Sequence, residues 1–391
     1  MMTEVRPRLR HLGFAALFTL ATSTALAQSP TSPACGIPTA LDDGWAIASP
    51  DSAGMDAARL CGIATRLKEI EANAHAVVVV RHGKLVFEQY YTGYDEPWGK
   101  DDKDYTFDAT TTHDMRSVSK SVISLLIGIA IDRKLIANAD EPVTKFFPEY
   151  AALKSPGWDN ITLRHLLTMS SGITWDENRA WTDPANDEPH LFSEADQLRY
   201  VLAKPIATAP DARWNYNGGG TDLLGSVVER VSGKKLEDFA RETLFEPLGI
   251  SDWEWKKYQN DKIASAGGLR LRPRDAAKIG QLVLNHGAWN GRQIVAADWL
   301  ARSVEPRFQA IGYFSGLFYY GYQWWLGRTL ANGKDVQWVA AQGLGGQRIY
   351  IVPELDLVVV TTAGLYGRPR DGVGPLDTLC NFVIPSVHDQ R

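Results

Sequence analysis

The stretch Ser117-Val118-Ser119-Lys120, followed after Ser121 by Val122-Ile123-Ser124-Leu125-Leu126-Ile127-Gly128-Ile129-Ala130-Ile131, places a hydroxyl and an amine at the mouth of an apolar run. The run predicts a buried helix, and residues i and i+3 share a helix face, so Lys120 can sit beside Ser117 Oγ without further help. Serine in water is a poor nucleophile and must hand its proton to a neighbouring base. A lysine serves as that base only when neutral, and burial against an apolar face lowers its pKa in that direction. The helix N-terminus adds backbone N–H groups that favour negative charge developing on the serine and its adduct.

The same spacing recurs at Ser232-Gly233-Lys234-Lys235. That copy follows the helical run Leu223 to Val231, so Gly233 reads as the residue closing a helix and its lysines as solvated charges. It is set aside as a decoy.

The 391 residues suffice for one large core or two lobes. A net charge of −5 with no long basic run gives nucleic-acid binding no support, while 13 tryptophans are unusually many. Arg6, Arg8 and Arg10 precede an apolar run from Leu12 to Ala25, and Ala25-Leu26-Ala27 offers a small-x-small cleavage site. Residues 1–27 therefore read as a signal peptide cleaved after Ala27, which implies a periplasmic or secreted protein. The apolar run is shorter than the roughly 20 residues a bilayer requires, so no stable membrane anchor is expected. An oxidising compartment permits one disulfide among Cys35, Cys61 and Cys380, and the pairing is open. The eight histidines are scattered singly and no cysteine has zinc-ligand spacing, so neither a metal nor a cofactor is expected.

A linker covers 28–44, Pro/Ser-rich from Ser29 to Pro38. A helix is predicted from Ala57 to Ala72, then a hairpin of Ala76-Val77-Val78-Val79-Val80-Arg81 and Lys84-Leu85-Val86-Phe87-Glu88-Gln89-Tyr90-Tyr91 about His82-Gly83. A matching hairpin lies near the other end, at Gln347 to Val352 and Leu357 to Thr362, with a last helix at Leu376 to Val383. Most of the chain between has helical periodicity, at Ile161–Met169, Glu194–Leu202, Gly220–Val231, Leu236–Leu244 and Pro273–Leu284. The fold class is α/β (α+β): an antiparallel sheet built from both chain ends and flanked by helices, with an inserted helical lobe. Residues 45–130 and 262–391 would form the sheet lobe and 131–261 the helical lobe, with Ser117 at the seam, where ligand clefts form.

Two further elements complete the constellation. In Trp214-Asn215-Tyr216-Asn217-Gly218-Gly219-Gly220, a tyrosine-bearing turn enters a helix through three glycines. A phenol there could take the serine proton and return it to the leaving group. Gly343-Leu344-Gly345-Gly346 opens the late hairpin, where the backbone N–H of Gly346, paired with that of Ser117, could hold an oxyanion.

In this order, Ser117-x-x-Lys120, Tyr216 and Gly343-x-Gly345-Gly346 resemble the serine β-lactamase-related superfamily. Class C β-lactamases, family VIII carboxylesterases and 6-aminohexanoate-oligomer hydrolases are its members most similar to this chain. Ile161 to Ile173, Leu244 to Gly249, Gly267 to Asp275 and Tyr350 to Asp356 also look like that family, so the resemblance spans roughly residues 45–385. It implies a β-lactamase/transpeptidase-like fold with Ser117 as the acylated nucleophile, Lys120 as its base partner and Tyr216 as a shared proton shuttle. Which of Lys120 and Tyr216 takes the first proton is open.

Two departures bear on substrate. Gly218 stands where the family commonly has the asparagine of Tyr-x-Asn, a substrate contact. Gly343-Leu344-Gly345 stands where β-lactamases have Lys-Thr-Gly, so the cation and hydroxyl that would hold a β-lactam carboxylate are absent there. A literal Tyr258-Gln259-Asn260 is discounted as a charged loop. Trp175, Trp181, Trp214, Tyr319, Tyr320, Tyr322, Trp324, Trp325 and Trp338 cluster around the presumed cleft, more than half of them as core. The expectation is a serine hydrolase acting through an acyl-enzyme on a small ester or linear amide, with weak or no β-lactamase activity. The alternatives are a DD-peptidase or penicillin-binding protein, and a non-catalytic binding module retaining the fold. Oligomeric state is not readable from the sequence.

Overall fold

The computed structural model describes residues 35–388 apart from 312–316, 332 and 369. The signal peptide expected over 1–27 lies outside the described residues. Among the described residues, nine strands form the main sheet, in the order Ala46–Ile47, Lys84–Tyr90, Ala74–Arg81, Leu357–Ala363, Gln347–Val352, Lys334–Gly343, Trp325–Ala331, Tyr319–Tyr320 and Phe308–Gln309. All neighbours are antiparallel except Ala46–Ile47, which runs parallel to Lys84–Leu85. Both expected hairpins are present, and Ala74–Arg81 pairs directly with Leu357–Ala363 from the far end of the chain.

The central strands are buried at almost every position because both faces are covered. The period of two sorts their side chains. Val78, Val80, Ile349, Ile351, Val358 and Val360 join the core that holds the Ser117 helix and Ala276, Ala277 and Ile279 of the helix Pro273–Leu284. Val77, Val79, Tyr350, Val352, Leu357 and Val359 face Leu60, Ile63 and Leu67 of the helix Ala57–Glu69, together with Leu379 and Val383. The hairpin Trp325–Ala331 with Lys334–Gly343 was not foreseen, since glycines and charges break its apolar alternation.

The helix Val118–Asp132 is apolar around its circumference and buried over almost its whole length. Gly128 lets it approach Trp299: a Cβ there would stand 2.3 Å from the indole, whose Nε1 donates to Ser124 O at 3.1 Å. The described part of the expected linker is firmly tied to the fold. Cys35 forms a disulfide with Cys61, Thr39 N donates to Glu88 Oε1 at 2.8 Å, and Asp43 pairs with the buried Arg274 at 2.6 Å. Cys380 is the free thiol, half-buried. No helix among the described residues is long and apolar enough to cross a membrane.

Gly280 seats the helix Pro273–Leu284 on the sheet, where a Cβ would meet Val358 Cγ1 at 2.5 Å and Ile349 Cγ2 at 2.8 Å. Gly280→Leu is expected to cost about 1–3 kcal/mol by overpacking, measured as a lower urea midpoint at unchanged m-value.

Candidate functional site

Ser117 sits at the tip of a strained turn. Arg116 before it holds φ at +49°, a conformation that a non-glycine residue keeps only when its surroundings over-determine it. The constraints are explicit. The Arg116 guanidinium pairs with Asp114 at 3.2 Å and lies between the rings of Tyr366 and Trp98, at 4.4 and 4.8 Å. Its carbonyl accepts from Ser119 Oγ at 2.6 Å, which in turn accepts from Leu269 N at 3.1 Å. The Ser117 side chain makes no capping hydrogen bond to its own helix. Its hydroxyl is left to the cleft.

One turn on, Lys120 Nζ donates to Ser117 Oγ at 3.0 Å and to Ala266 O at 3.0 Å. Tyr216 arrives from a different element, the turn before the helix Gly218–Ser232. That turn is pinned by Asn215 N donating to Met169 O at 2.7 Å and by Asn217 Oδ1, which caps the helix by accepting from Gly220 N at 2.9 Å. The Tyr216 ring lies 4.8 Å from Lys120 Nζ, and its phenol hydrogen-bonds with both Ser117 and Lys120. Three groups predicted from two separate motifs thus meet in one place.

The electrostatics correct one expectation. Burial by itself would lower the Lys120 amine, but the Tyr216 phenol and the Glu177 and Glu188 carboxylates outweigh it, and the net direction is upward. Burial pushes the Tyr216 phenol up as well, against the pull of Lys120. The resting pair is therefore ammonium and phenol rather than a neutral amine. Local sequence could not show this, because Glu177 and Glu188 lie on a segment remote from Lys120 in the chain.

Glu177 also explains Gly218. Its Oε2 accepts from Gly218 N at 2.6 Å and from Trp175 Nε1 at 2.6 Å. A Cβ on residue 218 would stand 3.0 Å from that oxygen. The place a side chain at 218 would enter is taken by a carboxylate from another loop.

The cleft-edge glycines differ in their surroundings. Gly343 and Leu344 line the cleft, and Gly343 must be glycine because a Cβ would lie 2.2 Å from Met115 O. Gly345 and Gly346 are bonded to neighbouring elements. Gly345 N donates to Asp371 Oδ2 at 3.0 Å, and Gly346 O accepts from Thr361 Oγ1 at 3.0 Å. Gly343 pairs with Gln347 at the end of the two strands, and Leu344, Gly345 and Gly346 make the turn between them. Arg348, unforeseen, stands behind this edge and donates to Gly343 O at 2.6 Å and Gln347 O at 2.8 Å.

The cleft has a volume of about 600 Å³ and is walled by Trp98, Trp181, Phe192, Tyr216, Tyr258 and Trp325, with Glu177, Glu188 and Arg348 among its charged groups. Tyr258, discounted from sequence, is buried in this wall. Its hydroxyl goes to Asp222 Oδ2 at 2.6 Å, and Asp222 Oδ1 accepts from Ala266 N at 3.2 Å. The Tyr258–Asp222 pair thereby positions the carbonyl that holds Lys120. Trp214, Tyr216, Tyr320 and Trp325 pack edge-on or tilted, with centroids 5.0 to 6.3 Å apart. Trp324 and Trp338 are core. At the second Ser-x-x-Lys, Gly233 closes its helix at φ +66°, and Lys234 is an exposed partner of Glu242.

A model of the family described as Beta-lactamase matches residues 63–375. The chain belongs to the beta-lactamase family. Within it, the chain is 26% identical over 334 residues to a 6-aminohexanoate-dimer hydrolase of Paenarthrobacter ureafaciens, covering 77% of this chain and 76% of that protein. It is 27% identical over 251 residues to esterase EstB of Burkholderia gladioli, covering 61% and 62%. The octameric penicillin-binding protein homologue from Pyrococcus abyssi superposes with a TM-score of 0.65 at 19% identity, over 86% of this chain and 79% of that one. That likeness is one of fold.

Glu188 gives this beta-lactamase-family cleft a charge that changes near neutral pH. Burial and the Glu177 carboxylate raise it from 4.5 to about 7, against Lys120. A carboxyl raised in the folded state binds more protons than in the unfolded chain between those values, so its contribution to stability falls as pH rises from 4.5 to about 7. Glu188→Gln is expected to flatten that decline, read as thermal midpoints of both proteins across the window.

Proposed function

We propose that this protein is a serine hydrolase that cleaves esters or linear amides through an acyl-enzyme on Ser117. The observation that carries the reading is Lys120 Nζ at 3.0 Å from Ser117 Oγ, with the Tyr216 phenol bonded to both, and with Ser117 and Tyr216 lining a cleft walled in part by aromatic side chains. The names of the relatives, an esterase and a linear-amide hydrolase, support it.

Ser117 Oγ attacks the substrate carbonyl carbon, and its proton passes into the Lys120–Tyr216 unit. The carbonyl oxygen becomes an oxyanion held by backbone N–H groups. Ser117 N is one; Leu344 N, on the cleft-lining edge, replaces Gly346 N as the second. Collapse of the adduct expels the alcohol or amine, which takes the proton from the unit. Water then repeats the sequence on the acyl-enzyme and releases the acid. The unit accepts a proton only in a form carrying one proton fewer than the resting ammonium–phenol pair. Acylation is therefore favoured as pH rises. Glu177 and Glu188 would repel a carboxylate placed near Lys120, which supports weak or no β-lactamase activity and a neutral acyl group.

The division into a sheet lobe and a helical lobe, and export after cleavage at Ala27, belong to the same proposal. The Cys35–Cys61 disulfide is consistent with export.

Ser117→Ala is expected to lower kcat on short p-nitrophenyl esters at least about 10⁴-fold and to remove the acyl adduct seen by intact-protein mass spectrometry. Wild-type turnover surviving in Ser117→Ala would overturn the assignment; durable acylation by a penicillin without turnover would favour the penicillin-binding alternative. Plots of kcat/KM against pH are expected to climb from neutral into the alkaline range. Leu344→Pro, which deletes one N–H, is expected to cost about 10²–10³-fold in kcat, with Leu344→Ala near wild type. Equal effects of the two substitutions would move the second oxyanion donor elsewhere.

A further inference from the structure

His75, Asp95 and His113 come from three strands, Ala74–Arg81, Thr92–Asp95 and His113–Asp114, and all three are buried. Histidines that stand singly in the sequence meet here at 2.8 Å, His75 Nδ1 to His113 Nε2.

The outer ring nitrogens decide what lies between them. His75 Nε2 is 3.0 Å from Tyr94 O, and His113 Nδ1 is 3.0 Å from Asp114 O. A carbonyl only accepts, so each outer nitrogen must carry its hydrogen. In neutral rings the two inner nitrogens are then both bare, and two lone pairs face each other at 2.8 Å. That contact is repulsive unless a cation is shared between them. Either a bridging proton or a metal ion meets that need, and the group standing beside the pair favours the metal. Asp95 supplies a third donor. Its Oδ2 is 3.9 Å from His113 Nε2, and its Oδ1 is oriented by Tyr366 OH at 2.9 Å. Ring N–H groups given to backbone carbonyls, and a carboxylate held by a hydroxyl, are the outer contacts that orient metal ligands.

We propose that His75, His113 and Asp95 form a buried site for a divalent transition-metal ion of the zinc type. Imidazole with one carboxylate suits that class. The three donor atoms lie within 4.8 Å of one another, and metal–nitrogen distances of about 2.0–2.1 Å require the two rings to part by roughly half an ångström. The ion would cross-link the sheet to the strand running through Asp114, the partner of Arg116, into Ser117. It supports the nucleophile turn and takes no part in the chemistry there.

The test uses the full chain without an affinity tag, stripped with a chelator, then given Zn²⁺ alone and passed through a desalting column. Elemental analysis is expected to give one zinc per chain, with a raised thermal midpoint. Asp95→Asn, which keeps an acceptor for Tyr366, and His113→Gln are each expected to weaken zinc at least tenfold. Co²⁺ in wild type provides a second readout, through visible bands that the variants lose. Wild type that retains no zinc and shows no cobalt bands would overturn the site, as would variants that bind as wild type does. A single proton bridging the two rings in the nitrogen-15 spectrum of protein saturated with Zn²⁺ would likewise overturn it. These readouts do not depend on hydrolysis, so failure here leaves the Ser117 assignment standing.

Discussion

Burying the Lys120 ammonium is the constraint around which the site is arranged. A charge with this little access to water survives only if its hydrogens are placed and its field is balanced. Ser117 Oγ and Ala266 O take two of its hydrogen bonds, Tyr216 contributes a phenol and a ring face, and Glu177 and Glu188 supply counter-charge. Ala266, Tyr216 and the segment carrying Glu177 and Glu188 come from three different parts of the chain, so loops and helices remote in sequence converge on this one cation. Ala266 is fixed by Asp222, Asp222 by Tyr258, and Gly218 is small because Glu177 must pass over it. Aromatic walls complete the enclosure.

What could be read from the chain follows from how local each signal was. The Ser117 helix announces itself by an unbroken apolar run, and the two hairpins by β-branched runs about short turns. These rest on neighbours within a few positions. Ser117, Lys120 and Tyr216 were legible because a short motif carries each. Glu177, Glu188, Asp222 and Arg348 were not, since a lone acid or arginine on a loop has no pattern; only the fold gives it a partner. The sign of the lysine's pKa shift failed for the same reason: the apolar helix is visible in the sequence, whereas the remote carboxylates are not. A glycine run does not say where the strand ends and the turn begins, so it does not by itself choose between Leu344 and Gly346 as an oxyanion donor. His75 and His113 were passed over because thirty-odd positions of unrelated sequence separate residues that touch.

The turn at Arg116 shows how support is layered outward from the reacting hydroxyl. Its left-handed backbone conformation is held by Asp114, and Asp114 in turn is gripped by Arg270 at 3.0 Å and Trp98 N at 2.8 Å. Next to it in the strand stands His113, with its paired ring. The precision of the nucleophile therefore depends on a buried polar column below the cleft, in which hydrogen bonds and ion pairs support one another.

The pairing of Ala74–Arg81 with Leu357–Ala363 has a consequence for how the molecule is made. The middle of the sheet cannot close until its last strands have left the ribosome, and the loop to be closed holds nearly all the helices. Contacts of such long range are paid for in chain entropy before they return anything, so folding is slow and late. Until then the valine-rich first hairpin is an exposed, unpaired edge with a strong tendency to associate. A chain built this way completes its sheet only after its synthesis ends.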